Sequence, residues 1–274
     1  MPAGLRPWSA YFYPLRDDVL FSGNDSPLAK YDALSKKRSS PPAVPSQAQK
    51  WEQASWQQYR RNSQSWEGRC HAWAFASVLA KEPKRPRTLN GVRFEVADQK
   101  ALLLLTHEAV EIERYHGVNY EPGPDADGND PWPDEFHRFL QAELYEGKRA
   151  FVMDSDPGVA IWNYPGDSGT SEIQADPSDP RRLHVRTLLI AKNSFDRSSA
   201  GSTSPDLFKA FEYTYDLVGN PRPDGSLDVV CGEWTGDSRK KQRPDYLIPM
   251  PQPVKRQSAN PEINPALVDE ILGG

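Results

Sequence analysis

Ten consecutive residues, Cys70 through Leu79 (CHAWAFASVL), are apolar around nearly the whole of a helical projection. A helix of that kind has no face to offer water and must be enclosed by the rest of the chain. Gly68 ends the approach to it, and Pro83 and Pro86 stop it. Any fold this chain adopts therefore closes around a helix that begins with Cys70, one of only two cysteines in the sequence.

The material for that enclosure is aromatic. Only 37% of the 274 residues are hydrophobic, yet eight Trp, eleven Tyr and ten Phe are present, so the core rests on large rings rather than on long aliphatic runs. Trp8, Tyr11, Phe12, Tyr13 and Leu20 make an opening segment expected to dock on the main core. Ser35 to Gln49 is rich in Pro and Ser and reads as a linker. Trp51, Trp56, Tyr59 and Trp66 then lead into the cysteine helix.

Downstream, Asp98 reads as the N-cap of a helix over ALLLLTHEAVEIERY that Gly117 closes. Pro133, followed by Asp134 and Glu135, opens another, with Phe136, Leu140 and Leu144 as its apolar stripe and Gly147 as its end. The period then becomes strand-like. Phe151–Asp154 and Val159–Asn163 are expected as a hairpin around Ser155-Asp156-Pro157-Gly158, followed by strands over 183–191, 211–217 and 227–233. Helices first and an antiparallel meander afterwards is an α+β arrangement, with the helical N-terminal part, and its nucleophile helix, packed on the sheet. Residues 1–250 read as a single catalytic domain. Residues 251–274 read as a Pro-rich tail outside the core, with one short amphipathic stretch at Pro265–Leu272.

Several function classes fall away on composition. A net charge of -5 and two short basic clusters, Lys36–Arg38 and Arg239–Arg243, give no footprint for nucleic acid; each cluster is expected as a solvated loop. No apolar run is long enough to span a membrane, and the residues from Met1 lack a Sec-type signal. Cys70 and Cys231 are far apart and without metal-ligand spacing, which argues against a disulfide framework and a zinc site. Cys231, in a predicted strand, is expected to be structural.

The chemistry points to Cys70. A thiol in the first turn of a buried helix sits at the positive end of the helix dipole, which favours thiolate, and neighbouring backbone N–H groups can serve an oxyanion. Gly68 would let a substrate backbone come close. A thiolate needs an imidazole to exchange its proton. Of five histidines, His137 is the best placed: it lies on a well-started helix, after a loop long enough to bring the chain back towards Cys70. His71 points to another side of the cysteine helix, His107 and His116 read as surface or capping residues, and His184 begins a strand. The third member of such a site is an acid or amide that holds the imidazole. Asp154 and Asn163, at facing ends of the predicted hairpin, are both candidates; the anion is the better stabiliser of an imidazolium. Asp125, Asp127 and Asn129 alternate like oxygen ligands but lack the glycine and glutamate positions of a calcium loop, and read as an acidic turn.

The segment GRCHAWAFASVLAKEPKRPRTLNGVRFEVADQKALL resembles the signature of the transglutaminase elicitor family, known from oomycete cell-wall glycoproteins and with bacterial relatives. FVMDSDPGVAIWNYP, FEYTYDL, GEWTGDS and the opening PWSAYFYPL and SPLAKYDAL extend the likeness over roughly residues 7 to 250. The resemblance implies a protein-glutamine gamma-glutamyltransferase associated with calcium or manganese, with a cysteine-protease-like site: Cys70 as thiol, His137 as imidazole and Asp154 as acid. Its partners would be a protein or cell-wall peptide carrying the glutamine and an amine acceptor. Two departures stand out: Tyr164 replaces the family's Gln in Trp-Asn-Gln-Pro, and Arg243-Pro244-Asp245-Tyr246 replaces His-Pro-Asp-Phe. A papain-like peptidase or peptidoglycan amidase would use the same dyad, and a non-catalytic elicitor or binding module would use neither residue. The lack of a Sec signal is compatible with an effector or toxin secreted by a signal-independent machine, which would then meet an immunity or chaperone partner.

Overall fold

The computed structural model describes residues 6–38, 44–114, 116–117, 130–155, 158, 160–195, 206–250 and 254–273. In chain order the elements are α1 (Pro27–Arg38), α2 (Ala48–Asn62), α3 (Cys70–Leu79), β1 (Arg87–Leu89), β2 (Val92–Phe94), α4 (Val96–Leu105), β3 (His116–Gly117) and α5 (Pro133–Phe139). A π-helical turn, Leu140–Glu146, prolongs α5. Then come β4 (Phe151–Asp154), β5 (Asn163–Ala175), β6 (Arg182–Lys192), β7 (Phe208–Pro221), β8 (Leu227–Trp234), β9 (Tyr246–Pro249) and α6 (Pro265–Leu272). The mixture of helices with an antiparallel sheet is α+β. The chain forms two compact units interleaved in sequence: a helical one from Trp8–Glu111, Asn193–Leu207 and Pro253–Gly274, and a sheet unit from Met1–Pro7, Ile112–Lys192 and Phe208–Gln252.

In the helical unit, α3 is enclosed as its composition demands: Ala72, Trp73, Ala74, Phe75 and Ala76 are buried. The indole of Trp73 donates to Trp8 O at 2.8 Å, and that of Trp8 donates to Ala80 O at 3.0 Å. The opening segment thus docks as expected, and both indoles, Trp8 of that segment and Trp73 of α3, find acceptors where burial would otherwise strand their N–H groups. Leu102 to Leu105 on α4 are buried, each contributing about 1.5–3 kcal/mol of apolar burial. β1 and β2 form a hairpin whose turn, Asn90-Gly91, has positive φ at both residues, the geometry two-residue hairpins favour.

Four expectations change in this unit. Asp98 is not the N-cap of α4: it stands at the third position, accepts from the Glu95 N–H at 2.7 Å in a reciprocal capping box, and pairs with Lys30. The helix ends at Leu105 rather than near Gly117: Thr106 Oγ1 and His107 Nδ1 donate to Leu103 O, at 2.7 and 2.9 Å, and the His107 N–H turns to Leu104 O at 2.8 Å instead of continuing the helical pattern. His107 is a capping residue but a buried one. Ser35–Arg38 and Ala48–Gln49 belong to α1 and α2 instead of a linker, although 39–43 lie outside the described residues. The tail is also corrected: α6, capped by Asn264 and closed by left-handed Gly273, buries Val268 and Ile271 in the core with Ile263.

In the sheet unit seven antiparallel strands run in the order β3-β9-β4-β5-β6-β7-β8. Phe136, Phe139 and Leu140 pack on β4 and β5–β7 side chains around Phe151, Leu189, Tyr213 and Tyr215. The hairpin partner of β4 begins at Asn163 and does not end there; Asp156, Pro157 and Val159 lie outside the described residues. Two smaller expectations also change. Arg243 is buried in an ion pair with Asp130 rather than solvated, and Cys231 lies exposed on β8.

Candidate active site

Cys70 opens α3 and is 5% exposed. Its approach is held by the opening segment: Arg69 N–H donates to Phe12 O at 2.8 Å and Leu15 N–H donates to Glu67 O at 2.9 Å. Gly68 is needed there, since a Cβ would stand 2.6 Å from Phe12 Cδ2. The space expected for a substrate backbone at Gly68 is thus taken by the protein's own Phe12 and Pro14. Arg69, at the N-cap, is buried between Glu52 and Glu108, donating to Glu108 Oε1 at 2.7 Å and to Glu52 Oε1. Those carboxylates offset a cation that the helix dipole disfavours at this end, and they keep the guanidinium charged against its burial. Desolvation raises the Glu52 carboxyl above its usual range. His71 bonds through Nε2 to Glu108 O at 3.0 Å, and its burial pushes the imidazole pKa down. The residues on either side of Cys70 are therefore tied to Glu108, as local polar anchors of the helix start.

His137, Asp154 and Asn163 all lie in the sheet unit. His137 is 7% exposed on α5, and its Nδ1 bonds to the Tyr215 hydroxyl at 2.9 Å. Burial, followed by the charge of Arg138, lowers its pKa, so the imidazole is neutral at pH 7. Asp154 and Asn163 face each other across the β4–β5 ladder, as the hairpin reading requires. The Asp154 carboxylate is buried, and its Oδ1 accepts from the N–H groups of Ser155 at 2.7 Å and Trp162 at 3.1 Å. Asn163 Oδ1 accepts from the Tyr246 hydroxyl at 2.6 Å. A cavity of about 460 Å³ opens beside Ser155, lined by Lys209, Phe211, Tyr213 and Lys241 among others.

Residues 48–175 match the family described as Transglutaminase elicitor. That segment is 128 of the chain's 274 residues. Across nearly all its length the chain also shares the fold of a solved structure, the GP42 transglutaminase from Phytophthora sojae. That likeness covers 98% of this chain and 90% of that one, with a TM-score of 0.68 and 20% sequence identity. The search of curated proteins finds no match. The matched segment contains Cys70, His137, Asp154 and Asn163, while Tyr215 and Tyr246 fall beyond it.

Those two tyrosines, the partners of the candidates His137 and Asn163, are what sequence reasoning missed. Tyr246 was visible as a departure from the family's Phe, and the added hydroxyl is the atom that engages Asn163. Tyr215 carried no signal beyond its place in an alternating strand. The other departure, Tyr164, accepts a hydrogen bond from Lys209 Nζ at 2.9 Å.

Among the described residues no three His, Cys, Asp or Glu side chains are grouped to hold a metal ion. Asp125, Asp127 and Asn129 lie outside the described residues. Among the described residues no helix is long and apolar enough to cross a membrane.

Proposed function

We propose that the chain is a thiol-dependent acyltransferase of transglutaminase type, with Cys70 as nucleophile and His137 as proton carrier. The observation that carries this reading is Cys70 in the first turn of an enclosed helix, within the segment that matches the family. In the reaction, sulfur attacks the carbonyl carbon of a glutamine side chain and the C–N bond breaks. His137 takes the Cys70 thiol proton and hands it to the departing nitrogen, so that ammonia leaves and a thioester remains on Cys70. An amine such as lysine then attacks the thioester, gives up a proton to the imidazole and takes the acyl group, restoring the thiol. The free backbone N–H groups in the first turn of α3 are the donors assigned to the oxyanion. Asp154 is assigned the acid's part: a buried anion favours the imidazolium, and its Oδ1 gathers the Ser155 and Trp162 N–H groups. Water in place of the amine would make the same centre a deamidase or peptidase.

A second reading has a specific observation behind it. The side chains that should complete a triad are engaged locally, Asp154 with backbone N–H groups and Asn163 with Tyr246. That is how a non-catalytic elicitor or binding module would use them. The family match and the shared fold support this second reading better than they support turnover, since neither bears on the thiol. Alkylation by iodoacetamide at neutral pH separates the two. A Cys70 that reacts faster than exposed Cys231 despite its burial is the expected result for an enzyme, and a Cys70 slower than Cys231 supports the binding module.

A further inference from the structure

The Tyr215 hydroxyl is the head of a continuous chain of hydroxyl groups. It lies 2.9 Å from His137 Nδ1 and 3.1 Å from Thr187 Oγ1. Thr187 Oγ1 lies 2.8 Å from Ser171 Oγ, which lies 2.9 Å from the Tyr145 hydroxyl. Tyr215 and Thr187 are fully buried, whereas Ser171 and Tyr145 are only half-buried. The chain thus runs from an enclosed imidazole to an end that water can reach. Adjacent strands build it: Ser171 on β5 is in register with Thr187 on β6, and Val185, two residues away, with Tyr215 on β7.

Each hydroxyl both donates and accepts, so the chain has two self-consistent directions. With donors pointing inward, Tyr215 donates to Nδ1 and Nε2 carries the imidazole proton. With donors pointing outward, Nδ1–H donates to Tyr215, each hydroxyl donates to the next, and Nε2 keeps its lone pair. The outward direction holds both the base-competent imidazole and the imidazolium formed when Nε2 takes a proton. Exchange between the two directions rotates the O–H bonds and also moves the ring proton from Nε2 to Nδ1, one nitrogen gaining a proton and the other losing one, with the imidazolium between them.

We propose that Tyr215, at the head of this hydroxyl chain, is the positioning residue of His137, fixing its ring and its Nδ1 hydrogen bond in the place a triad acid usually fills. Asp154 is then left with its charge and its hold on the Ser155–Trp162 segment. The assignment rests on His137 being the imidazole of the proposed reaction, but its geometry is testable without turnover.

The test is nitrogen NMR of the ¹⁵N-histidine-labelled full chain at neutral pH. Tyr215→Phe is expected to shift the Nδ1 resonance of His137 and release its tautomer ratio towards that of imidazole in water. Thr187→Val should shift it in the same sense and less, and Thr187→Ser should restore it. Asp154→Asn should leave the Nδ1 hydrogen bond as in wild type. An Nδ1 resonance indifferent to Tyr215→Phe, or moved by Asp154→Asn instead, overturns the proposal. If these shifts appear in a protein whose Cys70 alkylates slowly, the positioning role stands and the catalytic reading fails.

Discussion

The Tyr246 hydroxyl donates to Asn163 Oδ1 over 2.6 Å, between residues that lie on two different strands flanking β4. It engages one of the two lone pairs of the acceptor that a Cys-His-Asn site would direct at its imidazole. The acid reading therefore makes Asp154 the more sensitive position. Asp154→Asn should lower the acyl-transfer rate about tenfold or more, because it removes a buried anion that favours the imidazolium, while Asn163→Ala costs less. The imidazole-dependent limb of the pH–rate profile should move down with Asp154→Asn, because losing an anion makes the imidazolium easier to deprotonate. A larger loss from Asn163→Ala, with Asp154→Asn silent, places the site in the papain manner.

Gly68→Ala should destabilise the fold by about 1–3 kcal/mol, the range for overpacking. The added methyl would stand 2.6 Å from Phe12 Cδ2 and 3.2 Å from Pro14 Cα. Denaturant midpoints of the variant and wild type measure it. Phe12→Leu in the same chain should return part of the loss.

The C-terminal helix offers a contrasting test, because its core position ran against its Pro-rich setting. Ile271→Ala should cost about 2–5 kcal/mol, as for other buried large-to-small changes, since Ile271 is fully buried in the helical unit's core. A change within error of zero would mean that residues 254–273 do not pack there in solution.

Much of this architecture was legible for plain reasons. The cysteine helix had no polar face, so its burial followed, and Pro133 with two acids announced α5 unaided. What stayed hidden depended on distant partners. Nothing in PALVDEIL says that Val268 and Ile271 will find α4's neighbours, and α1 and α2 are too polar to stand out by periodicity. At the site, Asp154 and Asn163 could be paired from the hairpin pattern, whereas the Tyr215 contact to His137 spans 78 residues and leaves no local trace.

Stability should fall with acid in a way traceable to His107. Its burial pushes the folded-state pKa down to about 4 from 6.5, so between these values the unfolded chain binds the proton more readily. The contribution is complete above pH 6.5 and is lost as pH falls towards 4, amounting to about 2–4 kcal/mol. His107→Asn, whose amide can donate to Leu103 O in place of Nδ1, should flatten this part of the profile. Buried His71 and His137 shift in the same direction, so urea unfolding from pH 7 to pH 4 is best read as the difference between variant and wild type.

The central claim is that Cys70 transfers an acyl group, and mass spectrometry of a glutamine-containing protein incubated with a labelled amine tests it most directly. The wild-type chain should add the amine to glutamine side chains with loss of ammonia, and Cys70→Ala should reduce incorporation by about a thousandfold or more while remaining folded. Conversion of glutamine to glutamate without amine, or backbone cleavage, would redirect the same thiol to hydrolysis. Undiminished incorporation by Cys70→Ala, or no modification at all by the folded wild-type chain, would contradict the account.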